Sequence, residues 1–183
     1  MWETGDMVPR KALRPMVALW VLVGLVLAAT PAWANGQSAV AEARQATAEY
    51  HQVSHAEAAG YGSTLDGLGC FENPGVGGMG VHYVNETFLL DGEAVADEPE
   101  ALVYEMRPNG KLQLVALEYL VPIAEERPTL FGQQFHPHPS PLIPFWILHV
   151  WIWKPNPDGM FENWNPRVGD CPDGVPVFDP DPS

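Results

Sequence analysis

Four ionisable side chains stand in segments that otherwise read as hydrophobic core. His82 lies in "GVHYV", Glu105 in "LVYEM", Glu118 in "LVALEYLV" and His149 in "WILHVWIW". Both faces of each segment are apolar, so no rotation of a strand places the charged group comfortably in water. A buried carboxylate without a partner costs several kcal/mol or gives up its charge, so these groups are expected to meet one another or a cation. Two imidazoles and one or two carboxylates form a donor set for one divalent transition metal, namely zinc, iron, manganese or copper. Three protein ligands with an open fourth position would permit metal-assisted chemistry. His82, Glu118 and His149 are the first choices as ligands, and Glu105 is the alternative carboxylate. The same residues also suit a buried hydrogen-bonded cluster, with Tyr83, Tyr104 or Tyr119 as partners, that fixes the core and does no chemistry.

Other chemistry-bearing residues are less concentrated. Tryptophans crowd residues 146 to 164, and Trp151 and Trp153 with Tyr83 and Tyr104 could line a pocket for an apolar or aromatic small ligand. His136 and His138 share a proline-rich loop. His51 and His55 stand four apart on a helix, a spacing that can hold a metal but more often marks two solvated side chains. The glycines of "GVGGMG" lack a phosphate-binding lysine, and neither a Gly-x-Ser-x-Gly elbow nor a Cys-x-x-Cys pair is present.

The elements that must position these groups follow from pattern. Residues 38–59 read as one helix, with Ser38 as N-cap, Gly60 as stop, and Val40, Ala43, Thr47, Tyr50 and Val53 on one stripe. Beyond it, short segments rich in β-branched and aromatic residues alternate with Gly/Pro-rich turns. Residues 101–106 and 111–122 form a hairpin around "RPNG", and residues 145–154, fenced by Pro144 and Pro155, form a buried strand. Pairing Met106 with Lys111 sets Glu105 beside Leu112, roughly 20 Å along the strands from Glu118. Strict alternation puts Glu118 on a face with Leu112, Leu114, Ala116 and Leu120. It puts His149 with Phe145, Ile147, Trp151 and Trp153. The fold class is α+β: a mainly antiparallel sheet, open or closed into a small barrel, packed against one long N-terminal helix.

Residues 1–34 read as a secretory signal peptide. Arg10, Lys11 and Arg14 precede the apolar run from Met16 to Ala29, and Ala32 and Ala34 flank Trp33 as an A-x-A site. The acidic "WETGD" ahead of the basic residues suggests a start at Met7 rather than Met1. Residues 35–183 then make a single exported domain, periplasmic or extracellular, with no stable membrane anchor after cleavage. The net charge of −14 opposes nucleic acid and anionic membranes as partners. Cys70 and Cys171 are expected to form a disulfide in an oxidising compartment, worth about 4–5 kcal/mol in the chain-entropy treatment.

Taken in order, "GGMGVHYVN", "PEALVYE", "LVALEYLVP", "LFGQQF" and "LHVWIWKPNPDGMFENWNPRV" resemble a family of uncharacterised secreted bacterial proteins over about residues 45–171. The resemblance implies a bacterial, exported, single-domain protein and carries over no activity, cofactor or catalytic residue. Two functional classes remain open: a metal- or small-ligand-binding site in the His/Glu cluster, or a non-catalytic envelope-interaction protein whose buried polar cluster is structural.

Overall fold

The hairpin around "RPNG" is the centre of the sheet, and its two strands are the best-buried segments of the chain. The computed structural model describes residues 32–63, 70–123, 126–138, 143–171 and 177–178. The chain opens with helix α1 (Ala32–Thr47), a single 3-10 turn (Ala48–His51) and helix α2 (Val53–Ala58). Strands β1 (Tyr61–Ser63), β2 (Cys70–Asn73) and β3 (Gly77–Asn85) follow, then a short helix α3 (Glu86–Asp91). The second half contains β4 (Ala101–Met106), β5 (Leu112–Pro122), β6 (Thr129–Leu130), β7 (Gln133–Gln134), β8 (His136–Pro137), β9 (Phe145–Val150) and β10 (Val177–Phe178). The main sheet runs β10-β2-β3-β4-β5-β9-β8, with β1 also paired to β3, and it is open rather than a barrel. Every pair is antiparallel except β10 with β2.

Two expectations about local structure change. The single helix over 38–59 is three pieces, and α1 begins at Ala32, six residues before the expected cap. The break has a visible cause: the Tyr104 hydroxyl donates to the Tyr50 carbonyl at 2.6 Å, taking an acceptor that a continuous helix would use for its own ladder. Gln52 then turns extended (φ −96°, ψ 109°) before α2 starts. Gly60 does end the helical region, with φ +94°. The expected signal segment lies outside the described residues except for its last three, which open α1. Among the described residues no helix is long and apolar enough to cross a membrane.

The hairpin register also differs from the expected one. Arg107 and Lys111 close the turn, with Gly110 at φ +76°, so Met106 pairs with Leu112. Further along, Tyr104 pairs with Leu114 but Val103 pairs with Ala116, leaving Val115 as the extra residue of a β-bulge. Beyond the bulge the faces of β5 exchange. Leu112, Leu114, Leu117 and Tyr119 join the core beneath the helices with Val81, Tyr83, Leu102, Tyr104, Leu148 and Val150. Ala116 instead joins Val103, Val115, Trp151 and Val168 on the other face. Similarly, β9 ends at Val150, because the backbone amides of Trp153 and Lys154 both turn to the Val115 carbonyl, at 3.2 and 3.1 Å.

The C-terminal segment is tied back by the expected Cys70–Cys171 disulfide, which spans 101 residues. At the other end of β4, Glu100 is 1% exposed and its carboxyl accepts the Leu120 N–H at 3.0 Å, capping β5 where β4 has run out. Burial pushes Glu100 up to about 8, against the lowering effect of the Leu120 hydrogen bond. Between pH 4.5 and 8 the folded carboxyl therefore holds a proton that the unfolded one has lost, so its contribution is complete below 4.5 and declines as pH rises towards 8. Urea unfolding across this range should show Glu100→Gln gaining on the wild type by about 1 kcal/mol per pH unit; parallel pH profiles for the two proteins would refute the assignment.

Candidate metal centre

Four neighbouring strands, β3-β4-β5-β9, and the bulge bring His82 of β3, Glu118 of β5 and His149 of β9 together. Glu118 of β5 is the direct cross-strand partner of His149 on β9. On its other side Glu118 pairs with Ala101 of β4, which pairs in turn with Val84 of β3, two residues beyond His82. Ala101 has only a methyl group to interpose, so the long side chains of His82 and Glu118 meet across β4. Beside His82, Gly80 (φ +106°) lets β3 approach β4 closely, since a Cβ there would lie 2.4 Å from the Tyr104 carbonyl oxygen.

The contacts are buried. His82 Nε2 lies 3.1 Å from Glu118 Oε2, and His149 Nε2 lies 3.5 Å from Glu118 Oε1. Donor atoms of the three residues all fall within 4.8 Å of one another, and all three residues are buried. First-row metals hold nitrogen and oxygen ligands near 2.0–2.2 Å, which makes the edge of a tetrahedral shell about 3.4 Å. Both Glu118 contacts are near that edge, so the three groups could hold a cation if the imidazole nitrogens, within 4.8 Å of each other, drew closer.

His149 is fully buried, and neither of its ring nitrogens makes a hydrogen bond within the described residues. The Asn163 side chain approaches the ring and favours its protonated form, yet Asn163 Oδ1 also lacks a normal hydrogen bond. The Trp151 ring lies nearly parallel to the imidazole, 6.0 Å away and inclined by 13°. Burial holds His149 down to about 4, with Glu118 pulling the other way. Burial pushes the Glu118 carboxyl up, but the facing His149 and His82 and the His82 hydrogen bond outweigh it and hold the group down to about 2.

The remaining expected residues are distributed differently. Glu105 does not join the cluster. Its Oε1 takes Lys154 Nζ at 2.6 Å and the Gly169 N–H at 3.0 Å, and Arg107 Nη1 lies 3.4 Å from Oε2. Tyr83 and Tyr104, with rings 5.0 Å apart, belong to the core beneath the helices. Trp153 packs against that same core, under His51 (4.4 Å between rings) and Arg44 (5.0 Å). Of the four expected pocket residues only Trp151 borders the cluster; its Nε1 donates to the Glu162 carbonyl. His51 and His55 part company at the helix break, and His55 Nδ1 sits 3.6 Å from Glu49 instead.

One residue gains importance. His138 lines a cavity of about 50 Å³ together with His82 and Glu118. Just past the Pro137–Trp146 pair its backbone N–H donates to the Phe145 carbonyl at 2.9 Å, which holds it beside the cavity. A two-residue strand interrupted by prolines leaves no sequence pattern from which that placement could be read.

Compared with family models, curated proteins and solved structures, the chain finds no match.

Acid should weaken the metal-free protein through this cluster. Unfolded, His149 takes a proton below about 6.5, whereas folded it resists until about 4, so stability falls as pH drops through that window. Glu118 adds a further loss below about 4.5. In chelator, the wild type should lose about 1 kcal/mol per pH unit between pH 6.5 and 4 that His149→Gln does not lose; equal slopes for both proteins would show that His149 is not held neutral.

Proposed function

We propose that this is an exported protein that binds one divalent transition metal through His82, Glu118 and His149. The observation that carries the reading is His149: a fully buried imidazole with neither nitrogen hydrogen-bonded among the described residues, its Nε2 3.5 Å from a carboxylate oxygen of Glu118. A buried polar ring left in that state loses the partners it had in water, and a cation between Nε2 and the carboxylate supplies one. Neutral imidazole nitrogen and an ionised carboxylate are the forms that metals bind, and they are the forms the site favours at neutral pH. Two nitrogens and one oxygen suit zinc, and they also accommodate iron, manganese or copper. Export is supported by the basic-apolar-small pattern of residues 1–34, by the acidic balance, and by a disulfide that an oxidising compartment would preserve.

A second reading has its own support. His82 already lies within hydrogen-bonding distance of Glu118, at 3.1 Å, so the pair could serve as a structural link across β4 within a non-catalytic interaction protein.

Elemental analysis of untagged protein separates the two readings. The metal reading expects near one equivalent of a transition metal in the wild type and none in Glu118→Gln. At a free metal concentration about 100 times Kd, binding adds about 2.7 kcal/mol, which should raise Tm by about 5–10 °C in the wild type and not in the variant. A wild-type protein that stays metal-free after incubation with zinc, iron, manganese and copper salts, with unchanged Tm, would leave the cluster as a structural link.

A further inference from the structure

His149 is fully buried, and among the described residues the side from which a cation beside it meets open space is the one that His82 and Glu118 share. A cavity of about 50 Å³ lies on that side and is lined by both residues. Its other described walls are Phe71, Met79, Val84, Leu120 and Ile143, all apolar. Among the described residues the single further polar side chain on its lining is the imidazole of half-buried His138. Phe71 carries the edges of both histidines, with ring centroids 4.7 Å from His82 and 6.4 Å from His138, so the two imidazoles flank the opening on one aromatic platform.

Size and polarity together restrict what can enter. A volume near 50 Å³ holds one or two water-sized groups. Apolar walls leave larger polar molecules with unpaired groups, so they are rejected on entry. We propose that this cavity is the open coordination position of the metal centre, that it admits a small anion or neutral molecule of two or three heavy atoms, and that His138 selects the ligand by donating an N–H to its outer atom. The inference rests on the metal-binding reading above and adds to it the class of ligand and the residue that recognises it. No lining group other than the three histidine and glutamate side chains offers a polar contact among the described residues, so specificity falls on His138.

Cobalt(II) and sodium azide test this directly, since the visible spectrum of bound Co(II) reports a change of ligand and azide is a linear three-atom anion. In the wild type, azide titration should alter the Co(II) spectrum, whereas imidazole, too large for the cavity, should not. His138→Ala should still take up Co(II) but bind azide about tenfold more weakly, the value of one hydrogen bond to a charged ligand. Leu120→Phe, which fills the cavity from a half-buried position, should take up Co(II) and show no response to azide. If azide leaves the wild-type spectrum unchanged, or binds the His138→Ala protein as tightly, the cavity is not a ligand position and the inference falls while metal binding stands. If the wild type takes up no Co(II) at all, the metal reading itself fails and the inference with it.

Discussion

Val103 pairs with Ala116 and Tyr104 with Leu114, so Val115 stands unpaired between them, and from that point every side chain of β5 changes face. Without the extra residue Glu118 would point into the core beneath the helices, among Leu114, Tyr104 and Leu102, where it has neither imidazole. With it, Glu118 faces His82 and His149. The bulge has a second consequence. Its carbonyl, released from the ladder with β4, accepts the amides of Trp153 and Lys154, turns the chain away from β9 and delivers Lys154 Nζ to Glu105. One inserted residue thus sets both polar assemblies on this face: the His–Glu–His cluster and, at the other end of β4, the Glu105–Lys154 ion pair. Bulges commonly re-aim side chains at functional sites in this way.

The opposite face is organised by tyrosines. Tyr61, Tyr104 and Tyr119 are buried and send their hydroxyls to the backbone carbonyls of Pro99, Tyr50 and Ala96. Each ring fills the core while its hydroxyl fastens a surface segment, so the loop over residues 96–99 and the helix break at Tyr50 are both held from beneath. Burial raises all three phenols, which stay neutral donors at any ordinary pH. The Tyr104 bond joins the helical layer to the sheet, and those of Tyr61 and Tyr119 fasten the 96–99 loop to it, adding directional bonds to the apolar contact.

Much of this was legible in the sequence, and the unread parts share a cause. The hairpin was announced by "RPNG" and its flanking apolar runs, and the misfit residues by a charge in a doubly apolar strand. The cysteine pair had a single possible disulfide partner arrangement. All three signals are local or compositional. The bulge is not, because Val115 is as good a strand residue as its neighbours and only the pairing of Tyr104 with Leu114 makes it surplus. The helix break likewise depends on a hydroxyl arriving from 54 residues away. Glu105 looked equivalent to Glu118 in sequence, both being single acids in apolar strands. Their fates diverge because Lys154 and Arg107 converge on one, while among the described residues the imidazoles of His82 and His149 reach the other.

That divergence bears on what the two carboxylates can do. Glu105 is neutralised by permanent cations and by a backbone N–H, which draw its pKa down although burial opposes them; its Oε2 makes no hydrogen bond among the described residues but has the Arg107 guanidinium 3.4 Å away. Glu118 has partners whose charge is conditional. With His149 held neutral by burial, the carboxylate at neutral pH shares its site with at least one imidazole that contributes a lone pair rather than a positive charge. Such a cluster is completed by a cation, either a proton shared among the three groups or a metal coordinated by them. The two would compete for the same lone pairs, so any occupancy by metal would be tied to pH through the residues that hold it. A structural link alone would be served as well by a Lys–Glu pair of the kind that Glu105 already makes one strand-length away. Two histidines around Glu118 leave its charge available to something that can arrive and depart.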